Sequence, residues 1–370
     1  MAATKSHAVP SVSVIIPARN EEASLGACLR SLVAQTGVDF EIIVVNDQST
    51  DRTGEIAASF SGVGVVEAGP LPKGWSGKNH AVATGSSVAR GEWLLFTDAD
   101  TIHLPGSLAR ALEEARNRGA DLLSYSPEQI ISGFWEKAIM PLVFAELAAE
   151  YPPAEVSDPR SPKVAANGQY ILIKREAYDA AGGHAAVAAS LLEDVDLARA
   201  VKMSGRKVWF RYGGDAVRTR MYRSFAQLRE GWTKNLVLLF PRPGRLAAVQ
   251  LAVFALGVGS AGALIGSLIS RRVAEPRQGW FHSEGFLLTE AALLFLTGMY
   301  VLGRVRKGHF KLSATIPAFA GLPLFAYLLL RSKRAHKKGT VSWKGRMYGS
   351  GDPGVLSRSE PSGATAAKYS

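Results

Sequence analysis

Up to about residue 245 the chain alternates short, mainly apolar runs with amphipathic stretches. Ser13-Val14-Ile15-Ile16-Pro17, Phe40 to Val45, Val63 to Val66, Gly91-Glu92-Trp93-Leu94-Leu95-Phe96 and Tyr170-Ile171-Leu172-Ile173 are the runs. Their length and their lack of polar alternation predict strands covered on both faces. A helical stripe from about Ala23 to Val33 carries Leu25, Cys28, Leu29 and Leu32, and a second helix passes through Ile56 and Ala57. Strands alternating with helices predict an α/β domain around a mostly parallel sheet.

Three of these runs stop in polar loops: Ala18-Arg19-Asn20-Glu21, Asn46-Asp47-Gln48-Ser49-Thr50-Asp51 and Thr97-Asp98-Ala99-Asp100. In parallel sheets ligands gather outside the carboxyl ends of the strands, so the three loops are expected to share one edge. Further on, Phe134 to Leu147 is apolar, helical in period and interrupted by Pro141. It is too short to span a bilayer, leaving a helix in the interface plane or a buried one. A loop with Pro152, Pro153, Pro159 and Pro162 follows, and Leu191 to Leu197 begins another helix.

Past residue 245 the pattern changes to three long apolar stretches, about 247–270, 286–303 and 312–330. Each approaches the roughly 20 residues that a bilayer requires. Arg304, Arg306, Lys307 and Lys311 between the second and third suit the cytoplasmic side. Three crossings would put the basic tail on the opposite side. Either the third stretch, with Pro317, Gly321 and Pro323, is re-entrant, or the charge rule is overridden.

The formal charge of +11 over 370 residues admits a nucleic-acid binder or a membrane protein. The basic residues lie beside the apolar stretches and in the tail, at Arg331, Lys333, Arg334, Lys337 and Lys338, which suits anionic headgroups. No nucleic-acid motif accompanies them, so no nucleic-acid partner is expected. With Cys28 as the only cysteine, an intrachain disulfide and a thiolate metal cluster are excluded. The N-terminus has no apolar signal segment, which predicts a cytoplasmic first domain at the inner cell membrane. The expected organisation is a disordered leader at 1–10, a catalytic domain at 11–240, a membrane region of two to three spanning helices at 247–330, and a disordered basic tail at 331–370.

Two carboxylates two residues apart at the end of a strand, Asp98 and Asp100, can share one hard cation. Mg2+ or Mn2+ under a diphosphate is the usual case. The plain alternative is a solvated Asp-rich turn. In Leu191-Leu192-Glu193-Asp194-Val195-Asp196, Asp194 suits a general base that takes a proton from an acceptor hydroxyl. Glu193 suits either that site or a favourable charge at a helix N-terminus, and Asp196 a structural role.

The ordered set Pro17-Ala18-Arg19-Asn20-Glu21, Val44-Val45-Asn46-Asp47, Thr97-Asp98-Ala99-Asp100 and Leu192-Glu193-Asp194 resembles glycosyltransferase family 2 over about residues 11–240. Gly74-Trp75-Ser76-Gly77-Lys78, Ala166-Asn167-Gly168-Gln169, Gly182-Gly183-His184, Arg220-Met221-Tyr222 and Trp232-Thr233-Lys234-Asn235 are similar to its membrane-attached hopanoid and carotenoid (diaponeurosporenoate) subgroup. The resemblance implies a GT-A fold and a typically inverting transfer from a nucleotide sugar with a divalent metal, here onto a lipid acceptor. By position it implies Pro17, Asn20 and Glu21 beside the nucleoside and Asp47 on the base, uracil being the commonest. Lys78 and Asp98 then lie toward the diphosphate. Asp47 could instead cap a helix, and Lys78 could be solvated.

Two departures stand out. Asn46 replaces the first of the usual Asp pair. Gln227-Leu228-Arg229-Glu230-Gly231-Trp232 has the residues of the processive Q-x-x-R-W signature at the wrong spacing, which argues against a polymer synthase. Gln227, Arg229 and Trp232 are then acceptor-cleft candidates or ordinary helix packing. His184 is either a surface loop histidine or a group near the leaving diphosphate on a closing loop, and Arg220 and Arg223 face the same diphosphate or lipid headgroups. The rival functions are transfer to polyprenyl phosphate and a non-catalytic nucleotide-sugar scaffold.

Overall fold

The structure is a computed structural model and describes residues 9–273, 283–343 and 346–348. Most of the expected leader and the tail beyond 348 lie outside the described residues. Along the chain run β1 (Val12–Ala18), α1 (Leu25–Val33), β2 (Phe40–Asn46), α2 (Thr53–Ala58), β3 (Val63–Glu67), α3 (Gly77–Val88), β4 (Trp93–Phe96) and β5 (Thr101–His103). Next come α4 (Ser107–Arg118), β6 (Leu122–Ser126), β7 (Glu128–Gln129), α5 (Phe134–Glu150), α6 (Pro153–Ser157), β8 (Ile171–Lys174), α7 (Arg175–Ala180), α8 (Glu193–Met203), β9 (Val208–Tyr212) and β10 (Val217–Thr219). The chain ends with α9 (Phe225–Leu239), α10 (Pro243–Val273), α11 (Glu284–Lys307), α12 (Thr315–Lys338), β11 (Val341–Trp343) and β12 (Arg346–Tyr348).

A seven-stranded sheet has the order β3-β2-β1-β4-β8-β6-β9. Alternation along β1 explains its two covers. Val12, Val14 and Ile16 pack with Leu25, Cys28, Leu29 and Leu32 of α1 and with Leu108 and Ala111 of α4. Ile15 turns the other way, with Val45, toward Ala81 and Val82 of α3. Each such side chain, fully withdrawn from water, contributes about 1.5–3 kcal/mol, and this fixes the strand register.

One strand departs from the parallel pattern. β8 runs antiparallel to both β4 and β6, with Ile171 opposite Phe96. Because β8 starts where β4 ends, the preceding Asn167–Gln169 loop arrives at the same edge as Asp98. A smaller sheet, β5-β10-β7, lies beside it.

A third apolar cluster joins α5 and α9 to the C-terminal helices. α5 is a buried helix along Ala138, Ile139, Leu142 and Val143, while Phe134 and Trp135 at its start are exposed. Three described helices are long and apolar enough to cross a membrane: Pro243–Arg271, Glu284–Lys307 and Leu312–Lys338. They differ in packing. The apolar window of the last is 44% buried, against 17% for the other two.

The reason lies in what α12 touches. Gly321 backs onto the Ala138 carbonyl of α5. Ser332 accepts from the Val237 amide (3.0 Å), Arg331 donates to Thr233 (3.1 Å), and His336 meets the Lys234 carbonyl (2.8 Å), all on α9. At the other end, His309 stacks on Tyr212 at the end of β9 with ring centres 3.9 Å apart.

The expectation of a disordered tail from residue 331 is corrected here. α12 continues to Lys338, Gly339 closes it in a left-handed conformation, and β11 and β12 pair as an antiparallel hairpin. The sequence concealed this because the segment is basic and short on apolar residues. Its order comes from docking on α9, where Ser342 donates to Glu230 (3.3 Å) and Lys234 lies 5.2 Å from the centre of the Trp343 ring.

Candidate active site

β1, β2 and β4 run in one direction, so the loops after them open on one edge. There a cavity of about 700 Å³ is lined by Pro17, Asn20, Glu21, Asp47, Lys78, Asp98, Asp100, Glu193 and Asp194. Every donor, metal and base residue expected from the sequence therefore meets the same space.

The loops at the nucleoside end hold each other. Asn20 and Gln48 adopt φ of +52° and +55°, a left-handed conformation that asparagine tolerates better than most residues. The Asn20 side chain accepts from the Thr50 amide (2.9 Å), and its own amide donates to Ser49 (3.1 Å). Arg19 donates to the Asp47 carbonyl at 2.8 Å. The Asn46 departure has a local cause: its amide donates to Glu67 on β3 at 2.9 Å, where an aspartate would meet like charge. Asp47 caps no helix. Its carboxylate instead takes a two-pronged bond from Arg346, at 2.7 and 3.0 Å.

Lys78, in the first turn of α3, is not merely solvated. Its ammonium lies 2.8 Å from Asp98 and 2.9 Å from Glu193, joining the β4 loop to α8. Burial disfavours the charged lysine, but Asp98 and Glu193 outweigh it and hold its pKa well above the usual value. Burial likewise works against the Glu193 carboxylate, and Lys78 with Lys234 holds that group below the usual range. Asp194 behaves oppositely: burial and the neighbouring Glu193 charge push it up to about 6. Its oxygens accept from the Gly168 amide (2.9 Å) and the Val195 amide (2.8 Å). Asp196 accepts from Ser190 at 2.7 Å, a structural bond that steadies the turn before α8.

Asp98 and Asp100 can hold a divalent cation. Their turn is pinned by Thr101, whose hydroxyl donates to the Asp98 carbonyl at 2.7 Å, and both residues line the cavity. Among the described residues no three His, Cys, Asp or Glu side chains form a protein-only cage. Mg2+ or Mn2+ does not need one, since one or two carboxylates completed by phosphate oxygens suffice. The Lys78 ammonium against Asp98 shows that this carboxylate already takes a cationic partner.

Other expected residues fare differently. His184 is neither at the surface nor on an open loop. It is buried in a single 3-10 turn, edge-on to Phe96, with Nδ1 3.1 Å from the Tyr178 hydroxyl. Burial pushes its pKa down to about 4, so at neutral pH it carries no charge to offer a leaving diphosphate. It stands behind Glu193 and Asp194 in a small adjoining void. Trp232 is buried in the cavity wall and Gln227 lines it while accepting from the Arg223 amide (2.8 Å). Arg229 is exposed, turned toward Phe225, and outside the cavity. Arg220 is paired with Glu136 at 2.9 Å. Cys28 is a core residue whose thiol burial pushes up to about 12.

Sequence reasoning missed Arg346 and Trp343, which line the cavity from the hairpin. A tryptophan and a tyrosine inside a polar, basic tail were the available signal.

The cavity does not end at the carboxylates. It continues between α5 and α9 into a mainly apolar chamber walled by Phe144, Leu147, Leu239, Met221 and Tyr222, and reaches Lys307–His309 at the end of α11.

A mostly parallel sheet whose carboxyl edge gathers these acidic loops, followed by long apolar helices, defines a nucleotide-sugar glycosyltransferase of GT-A architecture. The chain belongs to glycosyl transferase family 2, whose model matches residues 13–194. A 4,4'-diaponeurosporenoate glycosyltransferase of Staphylococcus aureus (strain MRSA252) is 31% identical over 345 residues, covering 91% of this chain and 88% of that protein. Its counterpart from strain bovine RF122 / ET3-1 is 30% identical over 346 residues, with the same coverage. Among solved structures, the mannosyltransferase PcManGT from Pyrobaculum calidifontis in complex with GDP-Man and Mn2+ aligns over 89% of this chain and 87% of that one, at 16% identity and a TM-score of 0.49.

Proposed function

We propose that the enzyme transfers a sugar, with inversion, from a UDP-sugar to a lipid acceptor at the cytoplasmic face of the cell membrane. The observation that carries this reading is the continuity of the cavity. The space holding Asp98 and Asp194 runs directly into an apolar chamber between α5 and α9, next to the membrane helices. A lipid entering from the bilayer would pass Phe144, Leu147 and Leu239 before its head reached Asp194. The relatives, named for a carotenoid acceptor, support the same direction.

In this reading Asp47 accepts from the base, and Pro17, Asn20 and Glu21 border the nucleoside. Lys78 approaches the diphosphate as a point charge. Asp98 and Asp100 hold Mg2+ or Mn2+, which supplies neutralisation of charge on the departing diphosphate. Asp194, poised near pH 6, takes the proton from the acceptor hydroxyl as its oxygen attacks the anomeric carbon. Glu193, kept ionised by Lys78, holds that lysine toward the donor. Gln227 and Trp232 belong to the acceptor side.

The membrane arrangement follows from α12. α10 and α11 expose Leu251, Ile265, Leu288 and Phe295 and would cross the bilayer. α12 lies along α5 and α9 and returns its basic end to the catalytic domain. Two crossings then leave both basic segments, Arg304–Lys311 and Arg331–Lys338, on one side, as the charge rule demands.

Incubating membranes with labelled UDP-sugars and identifying the labelled lipid by mass spectrometry tests the whole reading. Label confined to water-soluble products would end it. The second reading is an acceptor already ionised, such as polyprenyl phosphate or a carboxylate of the kind the relatives' name denotes. Arg223 and Lys307 along the cavity favour it. Such an acceptor needs no base.

A further inference from the structure

Lys234 reaches the cavity from α9, while Lys78 comes from α3. Its ammonium lies 5.2 Å from the centre of the Trp343 ring, in the hairpin whose Arg346 meets Asp47. α12 fixes the turn that carries it: His336 donates to the Lys234 carbonyl (2.8 Å) and Arg331 to the Thr233 hydroxyl (3.1 Å). The α9 residues that line the cavity pass from Gln227 and Glu230 through Lys234 and Asn235 to Leu239. Glu230 is bonded to Ser342 of the hairpin, and Leu239 walls the apolar chamber. Lys234 therefore stands between the nucleoside end and that chamber, where donor and acceptor have to meet.

The charges around this point are unbalanced. Lys78 already spans Asp98 and Glu193, at 2.8 and 2.9 Å, and Asp100 and Asp194 line the same space. A divalent cation and the donor's diphosphate would largely cancel one another there and leave the acidic excess standing. Burial pulls the Lys234 pKa below the usual lysine value, while Glu193, Asp194 and Asp98 support its charge and Lys78 opposes it. Apart from the Trp343 ring, its ammonium makes no ion pair or hydrogen bond among the described residues. A recessed lysine held in this way is a compact cation with rotatable donors, suited to an oxyanion that arrives from outside.

We propose that Lys234 is a donor-binding residue whose ammonium takes an oxygen of the donor's diphosphate from the α9 wall. When the bond from the anomeric carbon to the diphosphate breaks, its electron pair stays on the phosphate oxygen, and the acceptor oxygen forms the new bond. A fixed ammonium meets the charge that gathers on the departing group. Because α12 anchors this turn, the last long apolar helix also sets one wall of the donor site. This role of Lys234 rests on the reading of Asp98 and Asp100 as the turn under the diphosphate.

The test compares uridine with UDP, and guanosine with GDP, binding to the purified full chain with Mn2+ in detergent. In the wild type the diphosphate should strengthen binding. In Lys234→Met that gain should fall about tenfold, the loss of one charge-assisted bond, while the bare nucleoside binds as before. Lys234→Arg should recover part of the gain. A second measurement does not depend on the variants: acetylation of the wild-type chain, followed by peptide mass spectrometry, should label Lys234 more slowly with UDP than with uridine. An unchanged diphosphate gain in Lys234→Met, or Lys234 labelling as fast with UDP as with uridine, overturns this role and leaves the donor site standing. Absence of any diphosphate gain in the wild type overturns the donor reading, and the role of Lys234 with it.

Discussion

The Gly168 amide donates to the Asp194 carboxylate at 2.9 Å, and a Cβ on Gly168 would stand 2.9 Å from the Lys78 ammonium. The loop before β8 thus aims the first turn of α8 while leaving room for the lysine that joins Asp98 to Glu193. Gly168→Ala should push Lys78 aside and lower kcat by about 10- to 100-fold, the usual effect of a small misplacement near the chemistry. Its melting temperature should hardly move. Unchanged kcat would show that the close packing at Gly168 does not matter to turnover.

Asp194→Asn keeps the shape of the site and removes the base. If the acceptor is a hydroxyl, kcat should fall by about 10²–10⁴-fold with nucleotide binding retained. Near-wild-type turnover would instead identify an acceptor that arrives ionised.

The pH dependence follows from the raised Asp194. A base must be unprotonated, so kcat/KM should fall as pH drops through about 6, as a joint titration of the Glu193–Asp194 pair. Stability runs the other way. A carboxyl whose folded pKa lies above its unfolded value of 3.8 favours the fold at low pH and loses that contribution as pH rises through about 6. Asp194→Asn should therefore melt higher than wild type at pH 8, with the difference vanishing near pH 4. A lower melting temperature at pH 8 would contradict the raised pKa.

Asp100→Ala should abolish metal-dependent UDP release while the protein still inserts into membranes. A chelator should do the same to the wild type, reversibly on adding Mn2+ or Mg2+. Full activity in the variant would remove the metal assignment from this turn.

Trp232 and Arg229 separate packing from position on one helix. Trp232→Ala, in a buried wall beside Tyr222, should cost about 3–5 kcal/mol in a detergent melt. Arg229→Ala, exposed beyond the cavity, should stay within about 0.5 kcal/mol and leave kcat unchanged. A large activity loss in Arg229→Ala would return it to the acceptor cleft.

Much of the catalytic edge was legible along the chain because parallel strands must release their loops at one end. Once Val14–Ile16, Ile42–Val45 and Trp93–Phe96 read as buried strands, Asn20, Asp47 and Asp98 had to share a side. The reversal of β8 was not legible: an apolar run of four residues carries no direction. His184 misled for a similar reason, since glycines before it read as a surface turn, while its burial depends on Phe96 and Tyr178 from distant parts of the chain.

Local pattern by itself determined β1 to β4 and β8, the helices α1, α2, α5 and α8, the acidic loops and the long apolar segments, because each depends on side chains within a few residues of one another. Tertiary structure alone decided that α12 lies along α5 and α9, that the cavity opens into an apolar chamber, and that Arg346 meets Asp47. Those outcomes rest on surfaces brought together from opposite ends of the chain, whose free energy of contact appears in no single stretch of it.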